Sequence, residues 1–488
     1  MVVCVSHAVL AVEYRRRQPD KATLHQAVAE YWPAFVATAD AAERPVPTFV
    51  RREFERFLDC GVIEKGALRV RCAACGFERL VAFSCKGRSG LCQSCAARRM
   101  LDVTVHLCDH VIPEVPVRQW VITVPHPVRY LLAYDAALLA AVTRIFMEAV
   151  FAHLRRVARC ELELPKRTRI ESGAICVPQR FNSALGLAPH LHALVADGVW
   201  VHGESDVKPS FRALPEPTKV EIAAVAWATC QRTVKLLEKR GLWLDAEASD
   251  DRLAQEQPLL AALATASIAG VLVIGPKAGQ RPIRLFGQAA RAADERHEKA
   301  PKNAYGFDLH AGSRAAAHDK QARERLCRYL LRPPLSNDRL TRTNDGNYRI
   351  ALKRPWDDGT CAIVVSGAEL MARLAVLVPP PRIHTTRYFG CFAPRSKLRR
   401  LVVPCSPRPT NATRDNDGDH SDRAHRYRLT WAQALSKVFA IDITQCCRCG
   451  QQGMQQVAVI HDPYVLRSML AAIDRAPRVE PHRCSDAP

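Results

Sequence analysis

The sequence predicts an α+β protein, and three features of its 488 residues lead to that prediction. Apolar residues recur at helical spacing in residues 1–65 and 133–160. Residues 117–125 and 174–201 are rich in β-branched and aromatic side chains, which favours strands, and the second stretch predicts two strands joined by a short polar turn. Residues 70–100 are dense in cysteine, glycine and arginine, which indicates a small module built around its cysteines.

In chain order, the sequence divides into seven segments. They are a helical N-terminal region (1–65), a cysteine module (66–115), a strand-rich segment (116–201), a largely helical insertion (202–305), a second core segment with one helix and one hairpin (306–403), a flexible linker (404–428) and a small C-terminal unit with a disordered tail (429–488). Asp319 is the expected N-cap of the helix in residues 319–332, and Pro333 follows its end. The expected hairpin turns near Asp358 and Gly359.

The charge balance favours a polyanionic partner. The chain carries 70 Lys and Arg against 49 Asp and Glu, a net charge of +21, and nucleic acid is the commonest partner of such a surface. The longest uncharged run, residues 259–275, is interrupted by polar residues and predicts a buried helix passing into a strand rather than a membrane span. The odd count of 19 cysteines, without an export signal, favours a reducing compartment with thiols free or on metal.

Four cysteines have the spacing of a structural zinc site. Cys72 and Cys75 form one CxxC pair, Cys92 and Cys95 form another, and 16 residues separate the pairs. Each pair can turn two thiolates towards one tetrahedral ion, and four thiolates leave no open position for catalysis. Cys85 is a fifth thiol that could replace one of the four.

Basic residues surround this module, and a further CxxC pair lies near the chain end. The basic residues are Lys86, Arg88, Arg98 and Arg99. They are either phosphate contacts or a solvated face, and the sequence leaves both open. Cys446 and Cys449 also form a CxxC pair, with Cys447 between them, but only His482 and Cys484 follow as completing ligands. A single CxxC pair is a weak metal signal.

His190 and His192 lie two residues apart in the stretch "PHLHALVADG". In a strand they share one face, while Leu191 and Ala193 pack behind, so the two imidazoles can hold one divalent ion. A turn centred near Leu185 would place Gln179 across from His192 as a third ligand. Three neutral ligands leave open positions where a metal can polarise a phosphate oxygen. The alternative is a pair of partly buried histidines without metal.

Tyr329 is the candidate nucleophile, because a phenol can form a covalent phosphodiester where metal and positive charge stabilise the phosphorus centre. On a helix, three arginines surround its hydroxyl: Arg325, Arg328 and Arg332. The alternative is that Tyr329 belongs to an apolar helix face beside Leu326 and Leu330.

Taken in order, "QWVITVP", "PHLHALVADG" and "ERLCRYLLRPP" resemble the HUH endonucleases, named for His-hydrophobic-His. More closely, the chain resembles the rolling-circle-type insertion-sequence transposases of the two-tyrosine class, including the common-region elements. The strings that carry this resemblance also include "RCAACGFERLVAFSCKGRSGLCQSCAARRM", "FDLHAGSR", "RPWDDGT", "RYFGCFAPRSKLR" and "CCRCG".

The resemblance implies an antiparallel sheet with the His pair at its centre and the tyrosine helix beside it. It implies Mg or Mn dependence, cleavage of single-stranded DNA at element ends and target DNA, and a 5′-phosphotyrosine intermediate. By residue, it assigns the metal pair to His190 and His192 and the nucleophile to Tyr329. The cysteine module would bind zinc and engage element-end DNA, and the expected location is the bacterial cytoplasm beside the nucleoid. A monomer and a homo-oligomer both stay open.

One departure from the two-tyrosine pattern concerns the second nucleophile. Four residues from Tyr329, the chain has Arg325 upstream and Pro333 downstream, so it resembles a single-tyrosine subset. Two other functions stay open from sequence. One is a plasmid replication initiator or relaxase with the same nuclease core, and the other is a non-catalytic, zinc-dependent DNA-binding protein derived from a transposase.

Overall fold

A computed structural model describes residues 18–87, 89–202, 208–242, 251–287, 306–404, 445–446 and 448–475. It has an α+β architecture in which every strand pairing between described strands is antiparallel, so the predicted fold class is confirmed. The predicted linker and the tail beyond residue 475 lie outside the described residues, apart from residue 404.

The helices of the described residues are α1 (Thr23–Ala41), α2 (Thr48–Asp59), α3 (Gln93–His110), α4 (His126–Tyr134), α5 (Ala136–Glu161), α6 (Lys219–Lys239), α7 (Arg252–Glu256), α8 (Pro258–Ala269), α9 (Lys320–Leu331), α10 (Gly367–Leu377), α11 (Arg399–Val402) and α12 (Pro463–Arg475). Short 3-10 turns occupy Pro19–Lys21, Ile63–Lys65 and Asn337–Arg339.

The strands are β1 (Ala67–Cys72), β2 (Glu78–Ala82), β3 (Val117–Thr123), β4 (Ile170–Glu171), β5 (Gly173–Phe181), β6 (Leu187–Ala196), β7 (Gly198–Val201), β8 (Ser210–Ala213), β9 (Ile283–Phe286), β10 (Asp308–Ala315), β11 (Leu340–Arg342), β12 (Tyr348–Ala351), β13 (Thr360–Val365), β14 (Arg387–Gly390) and β15 (Met454–Ile460). They form four sheets, with orders β10-β3-β6-β5-β14, β11-β12-β13-β9, β15-β1-β2 and β4-β7-β8.

The five-stranded sheet has β6 at its centre, and alternate residues of that strand enter different cores. Leu191, Ala193 and Val195 pack with α5 and α6 on one face. Leu194 and Ala196 point to the other face, where they pack with α3 and α9. Because the side-chain period of a strand is two, His190 and His192 lie on the face that α9 covers.

Helix α5 lies across the first face of this sheet. The Asp135 carboxylate accepts a hydrogen bond from the backbone N–H of Leu138 and caps the helix, so the predicted helix of residues 133–160 begins at Ala136. Among the described helices, α5 is the one long and apolar enough to cross a membrane. Yet 56% of its most apolar window is buried inside the molecule, which is the burial that a core helix shows.

Other local predictions are also confirmed. Helix α9 spans Lys320–Leu331, and Asp319 caps it by accepting from the N–H of Ala322. β12 and β13 form the predicted hairpin, and Gly359 in its turn has a φ of +83°. The insertion is only partly as expected, because α8 ends at Ala269 with Gly270 as its C-cap, and no strand follows directly. The next strand of the described chain, β9, begins at Ile283 and joins β13 at the sheet edge.

Candidate active site and cysteine clusters

His190 and His192 form a compact imidazole pair on the α9 side of β6. Their ring centroids lie 4.8 Å apart. Burial lowers the pKa of His190 to about 4 and that of His192 to about 2, with the neighbouring His190 as the second cause for His192. Both imidazoles are therefore neutral at pH 7, which is the form that binds a metal ion.

The hydrogen-bond partners of the two rings indicate which nitrogen of each imidazole carries the proton. Nδ1 of His190 lies 2.7 Å from the carbonyl oxygen of Ala188, and a carbonyl can only accept, so this nitrogen carries the proton. Nδ1 of His192 lies 3.0 Å from the side-chain amide of Gln119, and both residues are buried. The amide atom that faces this nitrogen is Nε2 of Gln119, which can only donate, so in this orientation Nδ1 of His192 accepts and the ring's own Nε2 carries the proton. A half-turn of the amide would place its oxygen there instead and free Nε2 of His192 for a metal ion.

Gln179 lies beside the histidines, but its position in the ladder differs from the predicted one. The turn between β5 and β6 occupies residues 182–186, so Gln179 pairs with His190 and Val177 pairs with His192. The expected placement of Gln179 across from His192 is thus wrong by two residues, which keeps its side chain on the same face. The cause is a turn centred one residue earlier than expected, near Ala184.

Two buried polar atoms of this group have no hydrogen-bond partner: Nε2 of His192 and Oε1 of Gln179. Unpaired buried polar atoms are costly and usually have a reason. The amide nitrogen of Gln179 is already committed, because it donates to the carbonyl oxygens of Tyr329 at 3.0 Å and Leu330 at 2.8 Å. Its orientation therefore fixes Oε1 as the free acceptor. Once the Gln119 amide is turned so that Nε2 of His192 is unprotonated, the two imidazole nitrogens and this amide oxygen form a ligand set that fits a divalent cation.

The hydrogen bonds from the Gln179 side chain to the backbone of α9 also hold the tyrosine helix against β5. The ring of Tyr329 lies edge-on to His192, with 5.6 Å between the ring centroids. Leu330 enters the apolar core between the sheet and α3, and Leu326 packs against it. Tyr329 is half-buried and points at the histidines instead. The apolar-face alternative therefore describes its neighbours on the helix but not Tyr329 itself.

Two cations lie over the Tyr329 ring. The guanidinium carbon of Arg332 is 4.8 Å from the ring centroid, and Nζ of Lys353 is 4.3 Å from it. Burial and the adjacent arginines, Arg332 first among them, lower the pKa of Lys353. Arg325 and Arg328 are exposed, and Arg328 pairs with Glu324 at 3.5 Å. Of the three arginines expected around the hydroxyl, the structure places Arg332 against the ring.

Sequence reasoning missed Lys353 and Gln119. Lys353 follows β12 in the second sheet, and only the packing of that sheet brings it over Tyr329. No local pattern in "ALKRPW" indicates this role. Gln119 had a weak signal, since a glutamine in the apolar strand "VRQWVIT" is unusual, and its depth beside His192 explains its presence.

Eight of the described cysteines form two separate clusters. Cys60, Cys85, Cys92 and Cys95 make one, and Cys72, Cys75, Cys446 and Cys449 make the other; within each, the sulfur atoms lie within 4.8 Å of one another. The four cysteines predicted to share one site, Cys72, Cys75, Cys92 and Cys95, are thus divided between two sites, and the predicted grouping is corrected. The alternative fifth thiol, Cys85, is a member of the first cluster.

Strand β2 is the physical reason for the division. Cys72 and Cys75 lie at the tip of the β1–β2 hairpin, whereas Cys85 follows the opposite end of β2. A strand of five residues spans roughly 16 Å, too far for one ion to bridge. Cys60, which ends α2, meets Cys85 instead and was not singled out from the sequence.

The sulfur spacing in the clusters fits tetrahedral zinc. Zn–S bonds of about 2.3 Å place tetrahedral ligands about 3.8 Å apart. In the first cluster, Sγ of Cys60 lies 3.5 Å from that of Cys92 and 3.6 Å from that of Cys95. Since Cys92 is the N-cap of α3, this cluster fixes where that helix begins.

Helix α3 connects the first cluster to the tyrosine helix. The two helices pack along each other, and the buried Sγ atoms of Cys108 and Cys327 are 3.8 Å apart. Gly90, with a φ of +81°, approaches Pro334 so closely that a Cβ would lie 2.6 Å from its ring. A cavity of about 150 Å³ lies at this junction, lined by Arg99, Gln179 and Arg332 among others.

The basic residues of the cysteine module lie near this junction. Lys86 is exposed, and its carbonyl oxygen accepts a hydrogen bond of 3.3 Å from Arg99. Arg98 and Arg99 are half-exposed on the first turns of α3. Arg88 lies outside the described residues.

Two parts of the chain match known protein families. Residues 173–400 match a family described as "Putative transposase", and residues 27–124 match one described as "Transposase zinc-binding domain". Searches of curated proteins and of solved structures returned no match. The first match contains His190, His192, Tyr329 and Lys353, and the second contains the whole first cysteine cluster.

The matches, the fold and the cysteine clusters agree on the class of protein. They support a DNA-processing enzyme whose cysteine module holds structural zinc. More particularly, the two matched families support a transposase role for this chain.

Proposed function

We propose that the protein is the transposase of a rolling-circle-type insertion sequence. In this proposal it nicks single-stranded DNA at the ends of its element and transfers the strand through a 5′-phosphotyrosine intermediate. The observation that carries the proposal is the convergence of Tyr329 with His190 and His192, where Gln179 bonds the backbone of the tyrosine helix. The transposase matches of both parts of the chain support it.

In the cleavage step, Oη of Tyr329 attacks the phosphorus of one phosphodiester and loses its proton to solvent. A new bond forms between Oη and the phosphorus, which stays attached to the 5′ oxygen of the downstream strand. The bond between the phosphorus and the 3′ oxygen of the upstream strand breaks. That oxygen leaves as a 3′ hydroxyl after taking up a proton. Attack of a 3′ hydroxyl on the phosphotyrosine reverses these bonds, releases Tyr329 and joins the strands. No net oxidation or energy source is needed, because each step exchanges one phosphodiester for another.

Arg332 and Lys353 would stabilise the charge that develops on the phosphate oxygens. Both lie over the Tyr329 ring, so a phosphate within reach of the hydroxyl is also near these cations. His190, His192 and Gln179 would hold a Mg or Mn ion, which supplies Lewis-acid polarisation of a phosphate oxygen when bound. The amide nitrogen of Gln179 holds the tyrosine helix, and the oxygen of the same amide is the proposed metal ligand. One side chain would therefore set the position of Tyr329 relative to the metal ion.

The DNA path would run over the junction between the cysteine module and the end of α9. Lys86, Arg98 and Arg99 lie on the module side, and Arg325 and Arg328 are exposed on α9. A backbone of negative phosphates would be held by such side chains without base recognition. Element ends and target DNA are the proposed partners, inside the bacterial cell.

The proposal uses Tyr329 as the single nucleophile, and the burial of Tyr348 supports this. Tyr348 is 1% exposed and belongs to the core that α1 and α10 share with the second sheet, where its ring contacts Tyr31. Tyr305 lies outside the described residues. In the proposed cycle, one tyrosine serves two nicks, either by regeneration through the 3′ hydroxyl or by a second protomer's Tyr329.

Covalent capture tests the proposal. Full-length protein is incubated with Mg or Mn and single-stranded oligonucleotides that tile both ends of its element, and SDS-stable adducts are separated on a gel. We expect adducts from the wild type and none from Tyr329→Phe, while Tyr464→Phe, an exposed residue on α12, keeps them. Peptide mapping should find DNA on Tyr329. Adducts on another residue, or specific binding without any adduct, would replace this proposal by a different nuclease or by a DNA-binding protein.

A further inference from the structure

We propose that the second cysteine cluster is a second zinc site, built from two segments that are far apart in the sequence. Its ligands are Cys72, Cys75, Cys446 and Cys449. The match to a transposase zinc-binding domain ends at residue 124 and so does not include Cys446 or Cys449. In this arrangement, residues 445–475 complete the cysteine module rather than form a separate C-terminal unit.

The sulfur contacts run between the two pairs. Sγ of Cys72 lies 3.7 Å from that of Cys449, and Sγ of Cys75 lies 3.6 Å from that of Cys446. Both distances are close to the roughly 3.8 Å edge of a tetrahedral zinc–thiolate site. All four are free thiols, and Cys72 and Cys446 are buried. Four converging thiols in a reduced protein fit a soft divalent ion such as zinc.

The two pairs are built alike, which distinguishes them from the pair at α3. Each is followed by a glycine, in "CAACG" and "CCRCG". Gly76 and Gly450 have φ values of +71° and +70°, a backbone conformation that favours glycine. The N–H of each glycine donates to the backbone carbonyl oxygen of the first cysteine of its pair, at 3.0 Å for Cys72 and 2.9 Å for Cys446. The pair at α3 is followed by Ala96 and continues as a helix.

Backbone pairing beside the cluster joins two segments that are far apart in the sequence. β15 runs antiparallel to β1, with Ala67 opposite Ile460 and Cys72 opposite Met454. Next to the first pair, the N–H of Ala73 donates to the carbonyl oxygen of Gly453 at 3.3 Å. The thiols therefore converge at the end of an antiparallel ladder, which has one irregularity between Arg69 and Val70, and not by a chance approach of two loops.

The apolar core of this unit is too small to be stable alone. It contains four buried residues, of which α12 supplies Leu466. Units of this size usually need a metal or another cross-link. A zinc ion would also close a loop of 371 residues between Cys75 and Cys446, so it would stabilise an association whose closure entropy is otherwise unfavourable.

Zinc counting on the full chain tests the inference. Native mass spectrometry of wild-type protein should show two zinc ions per chain. The double variant Cys446→Ser, Cys449→Ser should keep only the zinc of the first cluster. The separate double variant Cys85→Ser, Cys95→Ser should lose the zinc of the first cluster. Cys160→Ser, a change at an exposed cysteine outside both clusters, should keep two. One zinc in the wild type, or two in the Cys446/Cys449 variant, overturns the proposal.

A ligand-preserving variant separates metal binding from general misfolding. Cys449→His keeps a zinc ligand and should retain two ions, whereas Cys449→Ala should retain one. If Cys449→Ala retains two ions while circular dichroism is unchanged, Cys449 is not a ligand and the site assignment is wrong. The inference does not depend on the proposed nicking reaction, because zinc content is measured without DNA.

Discussion

At the scale of single residues, the candidate active site depends on which nitrogen of each imidazole is free. Ala188 sets this for His190 through its carbonyl oxygen, and Gln119 sets it for His192 through its amide. Burial keeps both rings neutral at pH 7. The contact with Ala188 leaves Nε2 of His190 free, whereas Nε2 of His192 is free for a cation only when the Gln119 amide turns its oxygen towards Nδ1.

The first prediction at this scale concerns the histidine pair. His190→Ala with His192→Ala should abolish nicking, because it removes two of three proposed metal ligands. The fold should persist, since the strand pairs through its backbone. His318→Ala, a change at an exposed histidine before α9, should leave nicking unchanged. Adduct gels and circular dichroism measure both effects, and a folded double variant with full activity would falsify the ligand assignment.

The second prediction concerns Gln119. Gln119→Leu should weaken divalent-metal binding by about 10- to 100-fold, because the metal-binding tautomer of His192 needs an acceptor at Nδ1, which a turned Gln119 amide supplies and leucine does not. Gln119→Glu keeps an acceptor oxygen and should restore or improve binding. Calorimetric titration with Mn measures both, without DNA. Equal affinity in the leucine and glutamate variants would mean that Gln119 does not orient His192.

The third prediction concerns Lys353. Lys353→Met should lower the nicking rate by about 10²–10³-fold, because one charged group facing the reacting phosphate is lost. Lys353→Arg should recover part of the rate, since it restores the charge with a different shape. Single-turnover rates at saturating DNA report this step apart from binding. An unchanged rate in Lys353→Met would remove Lys353 from the site.

At the scale of elements, the central sheet is fastened by a buried ion cluster as well as by its ladder. Asp197, which follows β6, accepts from Arg118 on β3 at 2.9 Å and from Arg314 on β10 at 2.7 Å. Arg118 also donates to the carbonyl oxygen of Ala311. Strands β10, β3 and β6 are thereby joined at one end, which leaves the other end open for the active site.

A stability prediction belongs to this cluster. Asp197→Asn should lower the free energy of unfolding by about 3 kcal/mol, because a buried arginine loses a charged partner. Glu148→Gln breaks an exposed pair with Arg232 and should cost less than about 1 kcal/mol. Urea unfolding followed by circular dichroism measures the difference. Equal costs for the two variants would show that the buried cluster adds no particular stability.

At the scale of the whole molecule, charge and architecture act together. The net charge of +21 is carried partly by basic residues of the cysteine module and of α9, which meet through the packing of α3 on α9. The first cysteine cluster determines where α3 begins, and α3 supports the tyrosine helix. Helix α3 therefore links the first cysteine cluster to the helix that carries Tyr329.

The salt dependence of DNA binding tests this distribution of charge. If about 5 phosphates are neutralised, the logarithm of the single-strand affinity should fall with the logarithm of salt concentration at a slope of roughly −3.5. Fluorescence anisotropy with a labelled oligonucleotide gives the slope. Arg98→Ala with Arg99→Ala should make it shallower. An affinity independent of salt would contradict a phosphate-dominated interface.

The sequence by itself determined the local features of the protein. The period-two pattern placed His190 and His192 on one face, and the structure confirms that Leu191 and Ala193 pack behind them. Asp319 and the prolines after residue 332 set the limits of α9. Caps, turns and strand periods depend on a few neighbouring residues, so they can be read without knowing where distant segments lie.

Only the tertiary structure decided which distant residues meet. Spacing alone joined Cys72 to Cys92, but β2 separates their pairs, and the actual partners of Cys72 are cysteines near the chain end. Likewise, Lys353 reaches Tyr329 from another sheet, and a turn centred one residue earlier moved Gln179 opposite His190. Such contacts depend on the path of the whole chain. That path is determined by packing between segments far apart in the sequence, so no short segment predicts it.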